Sequence, residues 1–236
     1  MASSAFTASS LICLILIAWL TVSYKPAGTV LPKQVVIIVF MGICLLGGLA
    51  ALLPSKCSKL TLHKQLDDKN QLKKVGTIQD DQKAIVYEGH HPSCGKFIPH
   101  VLKIRNKAYC AGCSGLLTGA LIAIFGSLAY AVNVFAVHAG GIFVFWFGFS
   151  AVLLGLLQYA KPLMSVSWVH FILNVLLVVG SFFILIGVIE TNGTVLVEMY
   201  FLVTTMYWIL ARIVLSDLEH QRICKMCASS LCGYRS

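Results

Sequence analysis

The sequence predicts an all-α polytopic membrane protein of about six transmembrane helices, with a small zinc-ribbon-like module in one cytoplasmic loop. Three observations carry this expectation. Hydrophobic residues make up 58% of the 236-residue chain and charged residues 11%, with a mean hydropathy of +0.85, whereas soluble domains hold roughly 25% charged residues. Six apolar stretches are long enough to be read as spans, given that a bilayer core needs about 20 apolar residues per helix. The one long polar segment, between the second and third stretches, crowds histidines and cysteines into its last part.

The expected spans are residues 5–24, 34–53, 114–137, 141–160, 168–189 and 195–215. They divide the chain into two spans over 1–53, a polar loop over 54–113, four spans over 114–215 and a cysteine-rich tail over 216–236. The first stretch reads as a true span and not as a signal peptide. No basic residue precedes "FTASSLICLILIAWL", and "SYKPAG" is a poor small-residue cleavage site. Pro26 and Pro32 then bracket a short turn into the second span.

Eleven of the eighteen basic residues fall within the 54–113 loop. Lys and Arg favour the cytoplasmic side, so the loop is expected inside a cell membrane, with both termini. Arg222, Lys225 and Arg235 in the tail agree, and the opposite connections are short and poor in basic charge. The net charge of +9 is then a basic skirt facing anionic lipid headgroups. Nucleic acid is not an expected partner, because the basic residues alternate with Asp67, Asp68, Asp80 and Asp81 and lack interleaved aromatics. The expected partners are the lipid bilayer and other membrane-protein subunits.

Within the loop, Leu60, Leu62, Leu66 and Leu72 suggest a short juxtamembrane amphipathic helix. "KAIVYE" at 83–88 reads as a strand, and "HVLKIRNKAYC" reads as two short strands about the turn Arg105-Asn106-Lys107. About sixty residues with few large apolar side chains need a staple such as a metal or disulfides. A cytoplasmic site disfavours disulfides.

Nine cysteines divide by location. Cys13 and Cys44 lie in expected spans and read as small apolar residues. Cys57 stands alone beside the membrane. His91-Pro-Ser-Cys94-Gly95 and Cys110-Ala-Gly-Cys113 are two ligand pairs of knuckle spacing, giving H-x2-C-x15-C-x2-C. Two intervening residues let the backbone turn both side chains onto one ion, and this spacing is that of a four-ligand zinc ribbon. Thiolate and imidazole donors suit zinc better than magnesium or calcium. The candidate ligands are His91, Cys94, Cys110 and Cys113, with His90 and His100 as substitutes.

The stretch "HHPSCGKF…H…YCAGCSGLLTGA", about residues 90–120, resembles uncharacterised multi-span prokaryotic membrane proteins. In these a His/Cys-rich segment precedes "CAxCxGLxxG" at the start of a membrane helix. Their upstream element usually reads Cys-His-Gln, where this chain has His-His-Pro-x-Cys. The resemblance implies a membrane protein with a metal-type cluster and supplies no activity.

In the tail, His220, Cys224, Cys227 and Cys232 form H-x3-C-x2-C-x4-C. If the last helix runs past the membrane, the first three share one face and offer a second metal site or extra donors to the first. An iron–sulfur cluster on Cys110, Cys113, Cys224 and Cys227 is the lesser alternative, since it leaves His91 and Cys94 unexplained. No CxxC is followed by His, and no Walker loop, G-x-S-x-G, HExxH or deaminase pattern occurs.

Inside the spans, Glu190, Glu198, Arg212, Asn133, Asn174 and Gln158 read as interfacial anchors or interhelical hydrogen bonds. Gly115, Gly119, Gly140, Gly141 and Gly148 read as close-packing positions. No catalytic residue is identified, and the expected role is a scaffold or complex subunit with a structural zinc. The rival is a membrane thiol–disulfide oxidoreductase using the CxxC pairs with a quinone acceptor, and a metal-regulated transporter comes third.

Overall fold

The computed structural model describes residues 2–23, 32–52, 100–104, 107–134, 140–156, 166–191 and 193–225. The expected amphipathic helix around 60–72 and the strand at 83–88 lie outside these residues. Six helices and one hairpin are described: α1 (Ala2–Ser23), α2 (Lys33–Leu52), β1 (Val101–Ile104), β2 (Lys107–Cys110), α3 (Ala111–Ala131), α4 (Gly141–Leu156), α5 (Ser167–Thr191) and α6 (Val195–Lys225).

Five of the helices, α1, α2, α3, α5 and α6, are long and apolar enough to cross a membrane. α4 is equally apolar but has sixteen residues; positions 157–160 of its expected span lie outside the described residues. Large apolar side chains point outward along the helices: Ile12, Ile15 and Trp19 on α1, Ile38 and Leu46 on α2, Phe125 on α3, Phe143 and Phe147 on α4, Val203 on α6. Such surfaces are stable against lipid tails and would be a liability in water. The chain is an α-helical membrane protein.

α5 is the hub. Beyond Ile172 it exposes no large apolar side chain, and it packs on α3, α4 and α6. Without a hydrophobic drive between helices in lipid, close packing of small residues supplies the attraction. On α4, Gly148 lies against the backbone of Gly180 and Ile184, and Gly155 against Leu177; on α5, Gly187 lies against Phe145. Gly115 and Gly119 of α3 meet the backbones of Phe171 and Val175 in the same way. α2 leans on α3 through Gly48 and on α6 through Gly47 and the stacked rings of Phe40 and Phe201. α1 joins α6 by polar and aromatic contacts, with Phe6 stacked on Tyr207 and the Ser9 and Tyr207 hydroxyls 2.5 Å apart.

Both ends of α3 differ from the expected 114–137. It begins at Ala111, so the CxxC turn is its own first turn. It stops at Ala131 because Asn133 takes a left-handed conformation (φ 56°). The Asn133 amide donates to the Tyr130 carbonyl at 3.1 Å and the Val134 amide to the Ala129 carbonyl at 3.0 Å. This pair of bonds is a Schellman closure, for which Asn is the usual second choice after Gly.

The helix ends gather on two sides. On one side Lys33 Nζ donates to Asn133 Oδ1 at 2.9 Å and sits over the Tyr130 ring. There the Tyr130 hydroxyl also donates to Glu190 Oε1 at 2.5 Å. On the other side lie the hairpin and the amino ends of α3 and α5.

Candidate functional site

The hairpin forms as its sequence predicts: β1 and β2 pair antiparallel, with Val101 opposite Cys110 and Ile104 opposite Lys107. Leu102, 2% exposed, and the fully buried Ala111 anchor it to the bundle. Cys110 is both the last residue of β2 and the N-cap of α3, extended at φ −67° and ψ 120°, and its side chain makes no capping hydrogen bond. Cys113 is the third residue of α3. Both are half-buried thiols outside any disulfide. An N-cap and N3 pair projects over the orphan amides of the first helical turn.

Four side chains from other elements gather on this side of the bundle. The His100 ring, at the entry to β1, lies 5.1 Å from the ring of the buried His170 on α5. One turn further along α5, Asn174 is fully buried; its Nδ2 donates to the His170 carbonyl at 2.6 Å. Asn174 Oδ1 accepts from Arg212 Nε of α6 at 2.7 Å. The Arg212 guanidinium then lies across Gly112, where a side chain would overlap Nη2. So the glycine inside Cys110-Ala-Gly-Cys113 is where the last span's arginine is seated. A helix amino end and a guanidinium both favour negative charge, and the first turn of α3 carries no acidic residue.

Of the sequence-predicted ligands, Cys110 and Cys113 share one turn and His100 stands at the hairpin entry on the same side. His90, His91, Cys94, Cys227 and Cys232 lie outside the described residues. The backbone of α6 carries His220 and Cys224 past the membrane segment, which ends at Ser216. Among the described residues, no three His, Cys, Asp or Glu side chains are grouped closely enough to hold a metal ion.

His170, Asn174 and Arg212 were not singled out as site residues by sequence. Arg212 and Asn174 read as interfacial anchors or interhelical hydrogen bonds, and their mutual bond is the latter. The available signal was two strongly polar side chains at like depth in otherwise apolar spans, together with a glycine inside the CxxC.

The bundle and this site define an α-helical multi-span membrane protein with a thiol pair at a helix mouth. No known family model, curated protein or solved structure matches the chain.

Proposed function

We propose that this protein is a membrane scaffold or complex subunit whose cytoplasmic His/Cys module is stapled by one structural zinc. The ligands are His91, Cys94, Cys110 and Cys113, with His100 in reserve, and the charge asymmetry sets this face inside. The observation that carries the reading is the placement of the two thiols at the N-cap and N3 positions of α3, in the turn whose Gly112 the Arg212 guanidinium of the last span lies across. Zinc held by three thiolates and one neutral imidazole bears one net negative charge, the sign that this helix end and guanidinium favour. With all four positions filled by protein, no site remains for a catalytic water, which fits a structural role. The staple would order a loop too small to fold alone and join it to the bundle.

Metal analysis of the detergent-purified protein tests this. One zinc per chain is expected, lost in Cys110→Ser and Cys94→Ser and kept in Cys57→Ser. Metal-free protein whose thiols oxidise reversibly would instead establish the second reading, a thiol–disulfide oxidoreductase. The same helix-end position of Cys110 and Cys113 supports that reading. The visible absorbance of an iron–sulfur centre would overturn zinc in a different way.

A further inference from the structure

The side of the bundle opposite the hairpin encloses a carboxyl that the metal module does not use. Glu198, in the first turns of α6, is 1% exposed, and its Oε2 has no hydrogen-bond partner among the described residues. Two contacts fix what it faces. Phe201 of α6 stacks on Phe40 of α2 with ring centroids 6.2 Å apart, and Ile209 of α6 lies 3.4 Å from the position of a Cβ at Gly47. At roughly 3.6 residues per turn, Glu198 falls between Phe201 and Ile209 around the axis of α6, so it faces α2. The two contacts advance together along both helices, so α2 and α6 run parallel. Counting back from either contact sets Glu198 level with Val36 and Ile37, both buried and apolar.

Lys33 opens α2 one turn before that level. Around the α2 axis it lies between Phe40, which meets α6, and Gly48, which meets Leu117 and Ala120 of α3. Here its ammonium is turned to α3: Nζ donates to Asn133 Oδ1 at 2.9 Å and sits 5.6 Å from the centre of the Tyr130 ring. Lys33 and Glu198 differ in height by about 5 Å, and a helical side chain leans toward its amino end, which brings the Glu198 carboxyl toward Lys33. Packed helix axes lie roughly 8–10 Å apart, so rotation of the flexible lysine stem is enough to carry the charge from α3 to α6. The remaining titratable groups of the packed helices are turned elsewhere or distant. α1 meets the opposite face of α6, through Tyr200, which bonds Cys13, and Tyr207 beside Ser9. Glu190 on α5 accepts from Tyr130, and Arg212 bonds Asn174 at the other end of α6. On α2, Cys44 lies two turns below the level of Glu198.

A carboxyl enclosed by apolar side chains is held either neutral, with its proton, or charged beside a cation. An ionisable group inside a membrane bundle marks a functional site by default. We propose that Glu198 is a proton-binding site and that Lys33 is its exchange partner. With the proton bound, Lys33 stays on Asn133 and Tyr130. When the proton leaves to water on this side of the bundle, the Glu198 carboxylate takes the ammonium across the α2–α6 seam. The exchange releases Asn133, whose left-handed turn closes α3, so the proton is read out at the far end of the helix that begins with the CxxC turn. This site is independent of the zinc reading.

Dicyclohexylcarbodiimide, an apolar reagent that attacks protonated carboxyls within bilayers, tests both halves on the full-length protein in native membranes. Read by mass spectrometry, the adduct is expected on Glu198 and to fall as pH rises. The activated carboxyl is also expected to be captured by the Lys33 amine, giving an amide cross-link between the two residues with net loss of one water. In Lys33→Gln the cross-link disappears, and the adduct persists to a pH higher by about one unit. Lys33→Arg keeps the wild-type midpoint. Asn133→Gly preserves the left-handed turn but removes the competing acceptor, so it moves the midpoint to lower pH. Glu198 unlabelled at every pH in folded protein, or labelled at a rate indifferent to pH, overturns the proton site. An adduct without cross-link, whose midpoint is unmoved in Lys33→Gln, overturns the exchange with Lys33. The wild-type titration and cross-link decide even if the variants fail to fold.

Discussion

Arg212 connects two parts of the sequence that are a hundred residues apart. Its Nε is fixed by Asn174 at 2.7 Å, and its Nη2 occupies the space a side chain at Gly112 would need. Gly112→Ala is therefore expected to dislodge the guanidinium while leaving every cysteine in place. Interhelical hydrogen bonds in membranes contribute about 1 kcal/mol; a loss of that size, read from reversible unfolding in mixed micelles, is the expected outcome. Arg212→Lys retains the charge but not the planar fork, so it should lose a similar amount. If Arg212→Lys matches the wild type, charge alone matters and the fork does not. His170 and His100 belong to the same group of contacts, their rings 5.1 Å apart. No periodicity reveals such a contact, because it depends on which helices become neighbours.

At the scale of elements, the α4–α5 seam makes the sharpest demand. A Cβ at Gly148 would stand 2.6 Å from the Ile184 amide nitrogen and 2.7 Å from the Gly180 carbonyl oxygen, both backbone atoms that cannot step aside. Gly148→Val should part the helices and cost at least the 1–3 kcal/mol typical of overpacking, as roughly estimated from cores. Gly42→Ala on α2 is the contrast, with nothing within 4 Å. It should leave stability unchanged or raise it by up to about 1 kcal/mol through helix propensity. Thermal unfolding of the two variants in one detergent checks both. The helices themselves were legible because hydropathy runs are long. The hairpin was legible because "HVLKIRNKAYC" reads as two short strands about Arg105-Asn106-Lys107, turn residues by sequence. Helix ends were less so: α3 was expected to reach 137 since apolar residues continue there, but the left-handed Asn133 closes it first. Its start was expected at 114, because Cys110-Ala-Gly-Cys113 reads equally as a ligand turn and as an N-cap with a first turn. Glu198 read as an interfacial anchor from its place near a span end, and only the bundle shows it enclosed.

For the whole molecule, alternation of the helices fixes which segments share a side. α6 runs for 31 residues, about 46 Å at roughly 1.5 Å per residue, against a hydrocarbon thickness of roughly 30 Å. Its apolar part ends at Ser216, and the continuation carries Asp217, Glu219, Arg222 and Lys225. Arg212 is seated on Gly112 just before this point, so α6 leaves the bundle on the side of the CxxC turn. The CxxC turn of α3 and the backbone end of α6 are then on one face. The far end of α1 at Ser23 belongs to the other face. Cysteines introduced singly at Leu218 and at Ser23, both exposed, separate these sides in a background lacking the other reactive thiols. An impermeant maleimide should label Leu218→Cys only in inverted vesicles and Ser23→Cys only in right-side-out ones. Labelling of both from one side would break the alternation. The reverse pattern would keep the fold but turn the thiol face outward, where an oxidising compartment favours disulfide chemistry over a zinc staple.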